Sequence, residues 1–63
     1  MKVGDQILFL EVDENENITR HEAHISSMID FKVTVAHKSR NITLHRRRLV
    51  PISRDRFALI QPA

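Results

Sequence analysis

Arg46, Arg47 and Arg48, three consecutive arginines, are the most concentrated chemistry in this 63-residue chain. With Lys38, Arg40 and Arg54 they make a candidate nucleic-acid-binding set, because neutralising phosphates with Lys and Arg supplies most sequence-independent affinity for nucleic acid. The first half carries the opposite charge, and Glu11, Asp13, Glu14 and Glu16 are candidates for docking a basic protein partner. Two readings of the arginines therefore stand side by side. They present a basic edge to phosphate, or they pair with the acidic half, within one chain or across a homodimer.

Other residue groups are tested against the chemistry that they imitate. His21 and His24 are three apart, which shares a face on a helix but points to opposite faces on a strand. His37 and His45 flank a turn and could approach across a hairpin, yet a zinc site wants about four ligands. No metal site is expected. Asp13, Asn15 and Asn17 imitate the first ligands of a calcium loop, but its sixth and twelfth positions, normally Gly and Glu, are Ile18 and His24. The serines Ser26, Ser27, Ser39 and Ser53 have no nucleophile-elbow context, and no carboxylate pair falls in a pocket-like setting. The expectation is a non-enzyme with no cofactor and no small-molecule substrate.

Charge is strongly polarised along the chain. Residues 1–30 hold Lys2 and Arg20 against seven carboxylates, a balance of −5, and residues 31–63 hold eight basic residues against Asp55, a balance of +7, for a total of +2. Hydrophobic residues at 41% and charged residues at 29% fit a folded domain rather than a disordered one. The absence of cysteine rules out disulfide staples and thiolate metal sites, which points to a reducing, cytoplasmic (intracellular) setting. A single glycine, Gly4, excludes Walker-type and dinucleotide-binding loops. The longest apolar run, Ile7 to Leu10, is far short of the ~20 residues of a membrane helix, and the N-terminal residues lack a signal-peptide pattern.

The elements that must position these residues follow a strand period. Gln6 to Asp13 is apolar on both faces, as in a core or interface strand, and Glu14 to Asn17 breaks it with a polar turn. Ile18 to Met28 alternates, with His21, Ala23, Ile25 and Ser27 on one face. A tight turn at Asp30 leads to a strand with Phe31, Val33 and Val35 inward. Lys38 to Asn41 reverses the chain, after which Ile42 and Leu44 face in and Thr43 and His45 face out. Continued alternation would bury Arg46, so the strand should end or bulge at about that residue, with Arg46-Arg47-Arg48 as a turn, either an ordinary one or one turn of 3₁₀ helix. Pro51 forbids a central ladder, and Phe57 to Ile60 reads as the last strand. The doubly apolar first strand leaves two accounts open, packing by the last strand or a partner interface.

These elements make an all-β, five-stranded, strongly bent barrel spanning residues 1–63 as one domain. Val3-Gly4-Asp5-Gln6-Ile7, Ala23-His24-Ile25, Val33-Thr34-Val35 and Leu49-Val50-Pro51-Ile52 together resemble a small SH3-like barrel of the Tudor and KOW kind. The resemblance implies a binding module for nucleic acid or a peptide. Its departures are specific. A methyl-lysine-reading Tudor domain needs an aromatic cage, and this chain has only Phe9, Phe31 and Phe57, all read as core. The KOW glycine is missing from the second strand. Where a dihydrofolate reductase built on this barrel has Gln and Tyr, the chain has Ile42-Thr43-Leu44-His45, so that activity is not carried over. Leu44-His45-Arg46 is similar to the last-strand Val-His-Arg of the carbon-storage-regulator RNA-binding family. The leading expectation is a regulatory nucleic-acid-binding module acting on DNA or RNA. The alternative is a small protein-interaction module or inhibitor, including the phage-encoded kind, that docks on a host protein through its acidic loop or a strand edge.

Overall fold

The computed structural model describes residues 1–62. Its elements are β1 (Gln6–Val12), β2 (Ile18–Ile29), β3 (Lys32–His37), β4 (Arg40–His45), a 3₁₀ turn (Arg46–Arg48), β5 (Val50–Ser53) and β6 (Arg56–Pro62). All six strands share one mixed sheet in the order β4-β3-β2-β1-β6-β5, in which only β1 and β6 run parallel. The chain is therefore all-β, with two corrections to the expected five-stranded barrel. Val50–Ser53 adds a sixth strand, and the sheet is not closed, because β4 and β5 are its two free edges. Pro51 explains the place of β5: without an N–H it suits an edge strand, and it pairs there with Phe57.

The sheet buries one face by bending around β2. Ile18 to His24 pair with β1, His24 to Ile29 pair with β3, and the register slips between Ile25 and Ser27. Such a bulge bends a strand and increases its twist. It also changes which side chains face inward. Simple alternation puts Ser27 beside Ile25, but the extra residue turns Ser27 opposite Thr34 and brings Met28 opposite Val33 and against the core. Phe9, Ile25, Val33, Val35 and Leu59 have no solvent exposure, and Ile7, Ala23 and Leu49 join them in one cluster. A flat sheet could not bury its face in this way, so curvature is what creates the core. Leu49, just after the 3₁₀ turn, fills it from the connection between the two edges.

The turns carry the tightest backbone requirements. Asp30 closes the β2–β3 hairpin at φ 55°, as expected for a residue that tolerates the left-handed region. Lys38 does the same for β3–β4 at φ 54°, where residue type offers no such signal. Gly4 sits at φ 97° before β1, and its N–H donates to the Ile25 carbonyl at 2.8 Å, fixing the chain entry against the bulge. Phe31 corrects the sequence expectation. It belongs to the Asp30-Phe31 turn rather than to β3, and it is 61% exposed.

The outward face of β1 keeps its apolar character. β6 satisfies the edge hydrogen bonds of β1, with Leu10 opposite Ile60, but sideways pairing covers neither strand's outer surface. Leu8, Leu10 and Val12 stay half-buried, and Ile60 is exposed. Among the described residues no helix is long and apolar enough to cross a membrane.

Candidate nucleic-acid interface

The arginine turn is built by the hairpin that precedes it. Ile42 and Leu44 pack against the core, so Arg46 would come next on the inward face, and the strand stops at His45. Three hydrogen bonds hold the turn. The Arg46 N–H donates to the Phe31 carbonyl at 2.8 Å, the Arg47 N–H donates to His45 Nδ1 at 3.1 Å, and the Leu49 N–H donates to the Arg46 carbonyl at 3.1 Å. His45 thus caps the turn with its ring, which fixes Nδ1 as the acceptor and leaves the Nε2 side as a donor. The backbone is tied down while Arg46, Arg47 and Arg48 are all exposed.

Phe31 lies against this turn. Its ring is parallel to that of His45, 3° apart in plane with centroids 5.7 Å apart. Carbon surfaces touch at about 3.5–4 Å, so parallel rings at that separation are slid past one another rather than superposed. Met1, Phe31, His45, Arg46 and Arg47 line a concavity of about 490 Å³. A sequence reading that placed Phe31 in the core missed this group. The available signal was its position directly after Asp30, where a two-residue turn would lift it out of the strand alternation.

The remaining basic candidates lie apart from the turn along the chain. Arg54 is exposed in the β5–β6 turn, beyond the far end of β5, which begins two residues after Arg48. Arg40 lies at the other end of β4, six residues and on the order of 20 Å from Arg46 at about 3.3 Å per residue, and Lys38 lies in the turn before it. Arg40 is also engaged: its Nη1 is 3.5 Å from Glu11 Oε2, and its guanidinium lies 5.8 Å from the centre of the Phe9 ring. Among the described residues the ion pairs are the two on Glu11, and Arg46, Arg47, Arg48 and Arg54 form none. Pairing with the acidic half thus accounts for Arg40 and leaves the arginine turn without a carboxylate.

The acidic candidates also divide. Glu11 is mostly buried between Arg40 and His21, whose Nε2 approaches Glu11 Oε1 at 2.9 Å but too obliquely for a hydrogen bond. Asp13 closes its own loop, accepting the backbone N–H groups of Asn15 and Asn17 at 2.8 Å each and the Asn17 side-chain amide at 3.2 Å. The Asn17 backbone bond holds the Asp13 carboxyl below its ordinary value, against an opposing desolvation that outweighs either of the two further bonds, from the Asn17 side chain and the Asn15 backbone. Glu14 and Glu16 remain exposed.

His37 and His45 do not meet, because one flanks the β3–β4 turn and the other ends the hairpin. His37 instead lies beside His21, with ring centroids 4.5 Å apart, and its Nδ1 is 3.1 Å from the Glu22 carbonyl oxygen. Among the described residues no group of three or more His, Cys, Asp or Glu side chains is placed to hold a metal ion.

Compared with family models, curated proteins and solved structures, the chain matches none of them.

Proposed function

We propose that this chain is a small, non-catalytic binding module, of the SH3-like kind that its sequence resembles, which binds nucleic acid by its phosphate backbone in a regulatory role. The observation that carries the reading is the arginine turn: three adjacent guanidiniums, exposed on a hydrogen-bonded 3₁₀ turn, with no carboxylate paired to them among the described residues. Exposed, unpaired arginines on a rigid backbone are ready to replace the counterions of a phosphate chain. Arg54, beyond the far end of β5, and Lys38 and Arg40, at the far end of β4, would be reached only by a strand that continues past the turn. The test is fluorescence anisotropy of labelled duplex DNA and single-stranded RNA at two salt concentrations. With ~4 phosphate contacts, raising salt from about 50 to about 200 mM weakens duplex binding on the order of 100-fold. Binding that ignores salt, or no binding at low salt, rejects the reading.

A second reading, a protein-interaction module, is favoured by one feature, the apolar outer face of β1 and β6 at Leu8, Leu10 and Ile60. Of the four acidic candidates, Glu14 and Glu16 are the exposed ones that could serve it. Sedimentation analysis of the isolated chain separates self-association through that face from a surface kept for another protein.

A further inference from the structure

A single exposed phenylalanine on a small protein calls for no explanation. Phe31 differs in its surroundings. It is parallel to a second ring, His45, and it shares the wall of one concavity with Arg46 and Arg47. We propose that Phe31 and His45 form a stacking platform for an unpaired nucleobase, so that the arginine turn takes single-stranded nucleic acid in preference to duplex. This inference rests on the nucleic-acid reading above and deepens it.

Three observations carry it. The first is exposure: Phe31 is 61% exposed, so the platform has ring surface to offer. The slid arrangement with His45 covers only part of each face, and a third flat ring can continue the stack. The second is fixation. The Phe31 carbonyl is held by the Arg46 N–H and the His45 ring by the Arg47 N–H, so both rings are tied through the backbone to the turn that carries the charges. A platform fixed in advance gives up little freedom on binding. The third is composition. Arginines beside aromatic faces are the recurring way that single strands are held, with cations on the phosphates and rings against the bases, and every base has a face to stack. A duplex keeps its bases stacked on one another and could use only the arginines.

The experiment compares labelled oligo(dT) and oligo(U) of about ten nucleotides with an abasic oligomer of equal length, which has the phosphates and lacks the bases. The wild-type protein is expected to bind either base-bearing strand on the order of ten-fold more tightly than the abasic one, and Phe31→Ala to abolish that difference while leaving abasic and duplex affinities unchanged. Phe31→Trp is expected to restore it. Because the chain has no other tryptophan, its fluorescence reports the site directly, and oligo(dT) should quench it where the abasic strand does not. Equal affinity of the wild type for the base-bearing and abasic strands overturns the stacking platform and leaves the phosphate reading standing. The same holds if Phe31→Ala weakens every ligand alike. Failure to bind any strand at low salt overturns both. Relative affinity for oligo(dT) and oligo(U) then assigns DNA or RNA.

Discussion

Leu59 and Ile60 are neighbours in β6, and the fold assigns them opposite fates. Leu59 has no exposure and sits opposite Phe9 in the parallel ladder, whereas Ile60 is 52% exposed opposite Leu10 on the outer face. Leu59→Ala removes buried carbon from a core of eight buried side chains and leaves a cavity that a small curled sheet cannot collapse fully. The expected cost is about 2–5 kcal/mol. Ile60→Ala loses half-solvated contacts and should cost under about 1 kcal/mol. A domain of this length has a global stability of roughly 3–9 kcal/mol, so the first change removes a large share of it and the second little. Urea unfolding followed by circular dichroism reads both values. With a slope near 1 kcal/mol per molar, Leu59→Ala should lower the midpoint by about 2 M or more, or leave the chain unfolded without denaturant. Equal losses for the two substitutions, or a larger loss for Ile60→Ala, would refute the assignment of the inner face and the parallel placement of β6 that sets it.

Gly4→Ala should cost about 1–2 kcal/mol although nothing lies within 4 Å of the added carbon, because the cost comes from the φ of 97° alone. A synthetic chain with D-alanine at Gly4 should recover the loss, measured as the change in Tm. Asp13 titrates below its ordinary value of 3.8 in the folded chain. Its ionised form therefore favours folding, fully so above the unfolded value and no longer once pH falls through the folded one. The Asn15 and Asn17 amide resonances should follow that titration, and a midpoint at or above 3.8 would contradict the loop geometry. Arg40→Ala should cost less than about 1 kcal/mol, since its contact with Glu11 is long and half-solvated. It should also lower nucleic-acid affinity far less than loss of the arginine turn does, by the anisotropy assay.

Strand positions and the arginine turn were legible because each follows from one local rule. Alternation marks Val33, Val35, Ile42 and Leu44 as inward, and the cost of burying Arg46 predicts that the strand ends or bulges near it; β4 ends at His45. The rest depends on non-local geometry. The bulge at Ser26 is set by how β2 must bend to serve two partners, and period-two counting carries no record of it. The sixth strand is hidden because Pro51 forbids only a central ladder, and the sequence carries no signal that Val50 to Ser53 lies at an edge. Alternation extended back from Val33 points Phe31 inward, but the two-residue turn begins there and lifts it out of the ladder. Charge pairing across the halves could not be read from totals at all. Glu11 meets Arg40 across a sequence separation of 29, and that contact, with His21 beside it, accounts for one arginine while the turn arginines stay exposed.

The most direct test is charge reversal of the turn, Arg46→Glu, Arg47→Glu and Arg48→Glu together, with the fold checked by circular dichroism and binding read by anisotropy on oligo(dT) and duplex DNA. All three side chains are exposed and none forms an ion pair among the described residues, so the variant should stay folded. Affinity for both ligands should fall on the order of 100-fold or more, with the salt slope reduced by about three contacts' worth. A folded variant that binds as the wild type does would contradict the assignment of the arginine turn as the nucleic-acid surface. A variant that unfolds would show instead that these arginines hold the fold together.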